Sequence, residues 1–185
     1  MLLSVIVPAF NEELYLPRSL SSLQRAAADC ECGVELIVVD NASTDRTAET
    51  ARVSGARVVC EPVRNVARVR NAGAAAAHGE VLVFVDADTI VPHEFLDRVR
   101  EVMIDPLCLG GSAEIVHHVR SQVLRAYLGA WRWIGFRLGS SHLGISKSEI
   151  SMGGMVRHPA AIAHGHCSAL LHAVEHTPKL CNPLR

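Results

Sequence analysis

Val81-Leu82-Val83-Phe84-Val85-Asp86-Ala87-Asp88 is the stretch on which the fold turns. Five consecutive apolar residues, three of them β-branched, suit a strand buried on both faces, and such strands belong to parallel sheets covered by helices. The run passes directly into two aspartates separated by one residue. The same design recurs upstream. Residues 2–7 form a β-branched run closed by Pro8, residues 34–39 form another that ends at Asp40, and residues 56–60 follow Gly55 as a third.

The intervening segments read as helices. Leu16, Leu20, Leu23 and Ala27 make an apolar stripe, with Asn11 as a cap, Pro17 near the first turn and Gly33 as the stop. Ser43 or Thr44 opens a second helix that places Ala48 and Ala51 inward. Residues 65–78 make a third, alanine-rich except for Gly73 and ended by Gly79. Pro92 stands in the first turn of a fourth that reaches about Met103, and residues 109–116 suggest a further strand. Strand and helix thus alternate with short connections, which predicts an α/β fold, a mostly parallel sheet with helices on both faces. Ligands of such sheets bind beyond the carboxyl ends of the strands. Three strands here end in polar sequence, at residues 8–12, 40–45 and 86–89.

The 185 residues and 49% apolar composition support a real core, and a net charge of −1 gives no field for nucleic acid. No apolar run approaches the ~18 residues of a membrane span, and no secretory leader is legible. The expectation is a soluble, cytoplasmic protein whose six cysteines are reduced thiols. The pattern fades past about residue 139, leaving residues 1–115 as an α/β core and 116–185 as a helical or irregular tail.

Asp86 and Asp88 carry the chemistry. Unpaired carboxylates at the end of a buried strand are costly, and a divalent cation removes that cost. Hard oxygen ligands select Mg²⁺ or Mn²⁺, which keep positions open for a diphosphate. The alternative is that both aspartates cap the helix near Pro92. Asp40 either accepts hydrogen bonds from a ribose or base, or shapes its own turn. Arg68 and Arg70 can reach a phosphate or the aspartates, with Gly73 admitting a close backbone.

Four segments together resemble the family 2 glycosyltransferases: Ser4-Val-Ile-Val-Pro-Ala-Phe-Asn-Glu-Glu13, Val39-Asp-Asn-Ala-Ser-Thr-Asp-Arg-Thr47, Arg70-Asn-Ala-Gly73 and Phe84-Val-Asp-Ala-Asp-Thr89. The likeness covers residues 2 to about 115. It implies a GT-A-type, Rossmann-like α/β/α sandwich, a nucleotide-diphospho-sugar donor, a bound Mg²⁺ or Mn²⁺, and transfer with inversion. By that likeness Pro8, Ala9 and Glu12 line the donor site and Asp40 contacts the nucleoside. Arg70 lies near the diphosphate, Asp86 faces the ribose or sugar, and Asp88, with Asp86, ligates the metal.

The tail departs from the pattern. Similar proteins place the general base in a Glu-Asp pair after a Gly-Gly-Phe-like segment, whereas Gly153-Gly154 here precedes Met155-Val156-Arg157-His158. Glu149 and Glu175 are the remaining candidates, and the tail from about Leu143 has the look of a truncated or frame-shifted reading frame. The alternative to an active transferase is therefore a binding-only domain lacking the base. A sugar-nucleotide pyrophosphorylase is rejected, because the segment after the first strand has neither glycine nor basic residue. The acceptor is an unidentified saccharide or lipid-linked molecule. Tyr127, Trp131, Trp133, Ile134 and Phe136, with three arginines, form either a peripheral membrane contact or a face that packs on the sheet or on a further C-terminal part; a homo-oligomer is a separate expectation. His164, His166, Cys167, His172 and His176 match no closed zinc pattern.

Overall fold

The computed structural model describes residues 1–112, 154–158 and 179–180. The chain divides into two units, Met1–Ser112 with Gly153–Arg185, and Ala113–Met152. The second unit lies outside the described residues. The first contains β1 (Leu2–Ala9), α1 (Leu16–Asp29), β2 (Gly33–Asp40), α2 (Thr47–Val53), β3 (Arg57–Cys60), α3 (Val66–Ala76), β4 (Val81–Phe84), α4 (Phe95–Ile104), β5 (Gly110–Ser112), β6 (Gly154–Arg157) and β7 (Lys179–Leu180).

These strands form one sheet in the order β5-β6-β4-β1-β2-β3-β7. β1 runs parallel to β2 and β4, and β2 parallel to β3. The outer pairs β4–β6, β5–β6 and β3–β7 are antiparallel. The centre is therefore parallel, as the unbroken apolar runs predict, and the antiparallel pairings sit at its margins.

Alternation along the strands sorts the core into two layers. Leu3, Val5, Val7 and Ala9 of β1 join Val38, Val58, Val81 and Val83 against Leu16, Leu20 and Leu23 of α1, Ala51 of α2, and Leu96, Val99 and Met103 of α4. On the other face Ile6, Ile37, Val39, Val59 and Leu82 pack on Val69, Ala72 and Ala76 of α3. This is the expected α/β/α sandwich. Leu3, Ile6, Leu16, Leu20 and Ile37 are fully buried, each such side chain contributing about 1.5–3 kcal/mol.

Several boundaries differ from the sequence reading. Asn11 does not cap α1; it sits at φ 55°, in the left-handed region, and its side chain accepts from Thr44 instead. α2 begins at Thr47 rather than Ser43 or Thr44, because those residues are held in a loop described below. Pro92 precedes α4, which starts at Phe95 behind the Glu94 N-cap. Gly33 opens β2, and α1 already ends at Asp29. Asn65 caps α3 as its position suggests, accepting from the backbone N–H of Ala67 and Arg68.

Cys60 is disulfide-bonded, against the expectation of six thiols; their scattered spacing holds no framework that would have announced it. Cys30, Cys32 and Cys108 are free. Among the described residues, no helix is long and apolar enough to cross a membrane.

Candidate active site

Backbone hydrogen bonds carry the central strands past their formal ends. Val85 N–H donates to Ile6 O at 3.0 Å, Asn41 N–H to Ala9 O at 2.9 Å, and Glu61 N–H to Asp40 O at 3.0 Å. The loops that follow β1, β2 and β4 therefore leave the sheet from fixed neighbouring points. A cleft of about 410 Å³ opens between them. Its walls are Pro8, Phe10 and Glu12 after β1, Asn41 after β2, residues 64–66 and Val69 around the start of α3, and Asp86, Ala87 and Asp88 after β4.

Three carboxylates share this cleft. Burial pushes the Asp86 carboxyl above the usual aspartate range; Arg70 opposes the shift and Asp88 adds to it. Glu12 is raised first by burial and then by Asp88, Asp45 and Asp86. The guanidinium of Arg70 lies 3.7 Å from Asp86, both side chains being partly exposed, and it also stacks 5.9 Å from the Phe84 ring centroid. Thr89 N–H donates to Asp86 O at 3.1 Å, so a tight turn holds the two aspartates side by side. Neither caps α4, whose N-cap is Glu94 with no side-chain cap bond. The helix-cap reading of this pair is thereby removed.

The donor set fits a hard divalent cation: closely spaced carboxylates, of which Glu12 and Asp86 are raised by burial and by neighbouring carboxylates, with Arg70 beside Asp86. Among the described residues no group of three His, Cys, Asp or Glu side chains converges as a self-sufficient metal cage. Mg²⁺ and Mn²⁺ do not require such a cage, since they bind through one or two carboxylates and complete their shell with phosphate oxygens and water.

A latch fixes the loop that carries Glu12. Glu12 N–H donates to Thr47 Oγ1 at 2.8 Å, and Asn11 N–H to Ser43 Oγ at 3.0 Å. Glu13 N–H donates to Asp45 Oδ2 at 3.2 Å, while Thr44 N–H returns a bond to Asn11 Oδ1 at 2.8 Å. Arg46 N–H closes on Glu13 Oε2 at 2.9 Å. The Ser43–Thr47 run thus supplies partners for a backbone that has left regular structure. Ala42 is held at φ 57° within it, a conformation that costs a non-glycine residue roughly 1–2 kcal/mol.

Of the residues predicted for the donor site, Pro8, Glu12, Asp86 and Asp88 come together in the cleft, and Arg70 joins them through Asp86. Ala9 and Asp40 are buried instead, Asp40 with 6% exposure. Asp40 Oδ1 accepts a long bond from Ser43 N–H at 3.4 Å. Gly73 admits no ligand backbone: a Cβ there would lie 2.4 Å from Ile6 Cγ2, so it serves close packing of α3 on the sheet. Glu149, Glu175, the aromatic cluster at 127–136 and the histidines at 164–176 lie outside the described residues. Sequence reasoning missed Phe10, Asn41 and Arg64. Arg64 stacks 3.9 Å over the Phe10 ring, and Asn41 Nδ2 bonds Glu61 O at 2.7 Å and Val63 O at 2.8 Å. The polar residues at the strand ends were the available signal for Asn41; nothing local pairs Arg64 with Phe10.

The fold and cleft together define an α/β protein of the GT-A type, with an acidic centre at the carboxyl edge of its sheet. Residues 4–174 match the model described as "Glycosyl transferase family 2", and the chain belongs to that family. The match extends well past the segments that carry the resemblance in sequence. The chain is 38% identical over 104 residues to a 4,4'-diaponeurosporenoate glycosyltransferase of Staphylococcus haemolyticus, covering 50% of this chain and 25% of that protein. Among solved structures it resembles glucosyl-3-phosphoglycerate synthase of Mycobacterium tuberculosis bound to Mn²⁺, uridine-diphosphate-glucose and phosphoglyceric acid. That likeness has a TM-score of 0.57 and 27% identity, over 84% of this chain and 56% of that one. A mannosyltransferase from Pyrobaculum calidifontis in complex with GDP-Man and Mn²⁺ gives a TM-score of 0.56 at 27% identity, over 75% of this chain and 46% of that one. The chain spans between 25% and 36% of the length of the curated relatives it first matches. Two of these relatives are named as transferases and the third as a glucosyl-3-phosphoglycerate synthase, which does not favour the binding-only reading.

Proposed function

We propose that this chain transfers a sugar from a nucleotide-diphospho-sugar to an acceptor hydroxyl with inversion at the anomeric carbon, the donor being held by residues 1–115 and the acceptor by 116–185. The observation that carries the reading is the meeting of Glu12, Asp86, Asp88 and Arg70 around one cleft at the carboxyl edge of the sheet. The solved neighbours hold nucleotide sugars together with Mn²⁺, which supports the same use of this cleft.

In this reading Pro8 and Ala9 form the floor of the donor site, and Asp40 at the end of β2 accepts from the nucleoside. Asp86, half-buried, faces the donor's ribose or sugar, while Arg70 beside it offsets negative charge on the diphosphate. Asp88, exposed at the cleft, and Asp86 would hold Mg²⁺ or Mn²⁺, which supplies Lewis-acid stabilisation of the leaving diphosphate. Glu12 is held by its Thr47 bond close enough to sense both aspartates. Inversion further requires a base that takes the acceptor hydroxyl's proton during attack; Glu149 and Glu175 are the candidates.

Thermal melting with UDP or GDP, with and without MnCl₂, tests the proposal, because a ligand of the native state raises Tm. The expected result is a nucleotide-dependent rise that needs the metal and disappears in Asp88→Asn, whose own Tm matches the parent. A folded Asp88→Asn protein with an undiminished metal-dependent rise would overturn it.

A further inference from the structure

At the opposite edge of the sheet from the cleft, the turn between α1 and β2 carries Cys30-Glu31-Cys32. Cys30 is the C-cap of α1, and Gly33 is the first residue of β2. The two thiols, both half-buried and both free, lie 3.1 Å apart. Two thiolates on a tetrahedral zinc ion, with Zn–S of ~2.3 Å, stand about 3.8 Å apart. The pair is closer than such an ion allows, and no third metal-binding side chain joins it among the described residues. A disulfide needs about 2.05 Å, so closing the bond takes a movement of roughly 1 Å within a surface turn.

We infer that Cys30 and Cys32 form a reversible dithiol–disulfide site whose reaction partner is a low-molecular-weight disulfide. The ring would close over a single intervening residue, and disulfides under such constraint are the labile ones. Burial, with the hydrogen bond to Cys30, pushes the Cys32 thiol up to about 11. A thiol so raised holds less thiolate at neutral pH and is the slower nucleophile, which makes Cys32 the resolving group and leaves the first attack to Cys30. The Cys30 thiolate attacks one sulfur of the small disulfide and expels one small thiolate. Cys32 then gives its proton to solvent and attacks the Cys30 sulfur of the mixed disulfide, expelling the second. Two protein thiols are oxidised, one small disulfide is reduced to two thiols, and two electrons pass between them. The Arg100 guanidinium, 3.4 Å from Glu31, ties this turn to α4, while the donor cleft stands on the other edge of the sheet. The site is therefore independent of the proposed transferase function.

Arg25 and Arg46 are consecutive tryptic sites, and the peptide between them, residues 26–46, contains Cys30 and Cys32 and no other cysteine. Cys60 falls in a different peptide and does not enter the reading. The full chain is equilibrated in mixtures of glutathione and glutathione disulfide, acid-quenched, alkylated with iodoacetamide, digested and weighed. The expected result is conversion of the 26–46 peptide from its doubly alkylated form to one two hydrogens lighter than the dithiol, restored by dithiothreitol. In Cys32→Ser, Cys30 should retain glutathione; in Cys30→Ser, glutathione should add to Cys32 more slowly than it adds to Cys30 in Cys32→Ser. A parent peptide that stays doubly alkylated at every mixture, stops at a glutathione adduct, or links two chains would overturn the inference.

Discussion

At the scale of single residues the site is an imbalance of charge. Asp86 and Glu12 both bind protons more tightly in the folded chain than in an unfolded one, chiefly through burial and then through neighbouring carboxylates. The stability linked to those protons is fully present below the ordinary carboxylate range and lost as pH rises through the raised values. A divalent cation favours the ionised forms, so its stabilising effect should grow over the same window. The rise in Tm produced by Mn²⁺ with UDP or GDP is accordingly expected to be larger at neutral pH than at about pH 4, where carboxyls take up protons. Equal rises at both values would show that these carboxyls do not face the ion. Asp40 poses a separate question, since it is buried and its one described side-chain bond is long. Asp40→Asn keeps the volume and an acceptor oxygen but removes the charge. Nucleoside affinity should fall by about 1.5–3 kcal/mol, the worth of a charge-assisted bond, with the metal requirement unchanged. Parent affinity, measured by calorimetry, would confine Asp40 to its turn.

At the scale of elements, what was legible depended on whether the information was local. β1, β2, β3 and β4 could be read because each is a short, mostly apolar run rich in β-branched residues, and Asp86 and Asp88 because they end the most apolar of them. β6, Gly154–Arg157, carries no such pattern; its identity as a strand lies in pairing with β4 about seventy residues earlier in the chain. α1 begins at Leu16, where Pro17 places it, but the start of α2 was misjudged. Asn11, Ser43 and Thr44 have cap chemistry, yet they spend it on each other across the two loops, while Asp45 accepts from the N–H groups of Glu13 and Thr47. Gly73 was read as allowing a close backbone approach, and it is the sheet that α3 approaches there, on the side chains of Ile6 and Val39. Gly73→Ala should therefore destabilise. A Cβ 2.4 Å from Ile6 and 3.0 Å from Val39 overpacks a layer in which both are fully buried, at about 1–3 kcal/mol. The gain in helix propensity returns only about 1 kcal/mol. A lower urea midpoint with an unchanged slope is the expected signature, and a higher midpoint would show that α3 is free to move off the sheet.

At the scale of the whole molecule, the proposed function assigns binding and transfer to different parts of the chain. Among the described residues, those that line the cleft fall between Pro8 and Asp88, whereas the candidate bases come from the region after Glu114. The two functions should therefore separate by mutation. Glu149→Gln and Glu175→Gln, alone and together, are expected to leave metal-dependent nucleotide binding unchanged, because neither residue belongs to the donor half. Transfer is expected to fall in whichever variant removes the base, by about 10²–10⁴, the usual worth of a positioned proton acceptor. Asp88→Asn should lose both binding and transfer, which distinguishes a donor defect from a base defect in one experiment. Radiolabelled nucleotide sugars offered with saccharide and lipid-linked acceptors provide the rate, and calorimetry with UDP or GDP and Mn²⁺ provides the affinity. If the double variant transfers at the parent rate, neither glutamate is the base, and the proton goes to a group elsewhere in the acceptor region. If it loses nucleotide affinity as well, the division of labour between the two parts of the chain is wrong, because a residue from the second part then completes the donor site.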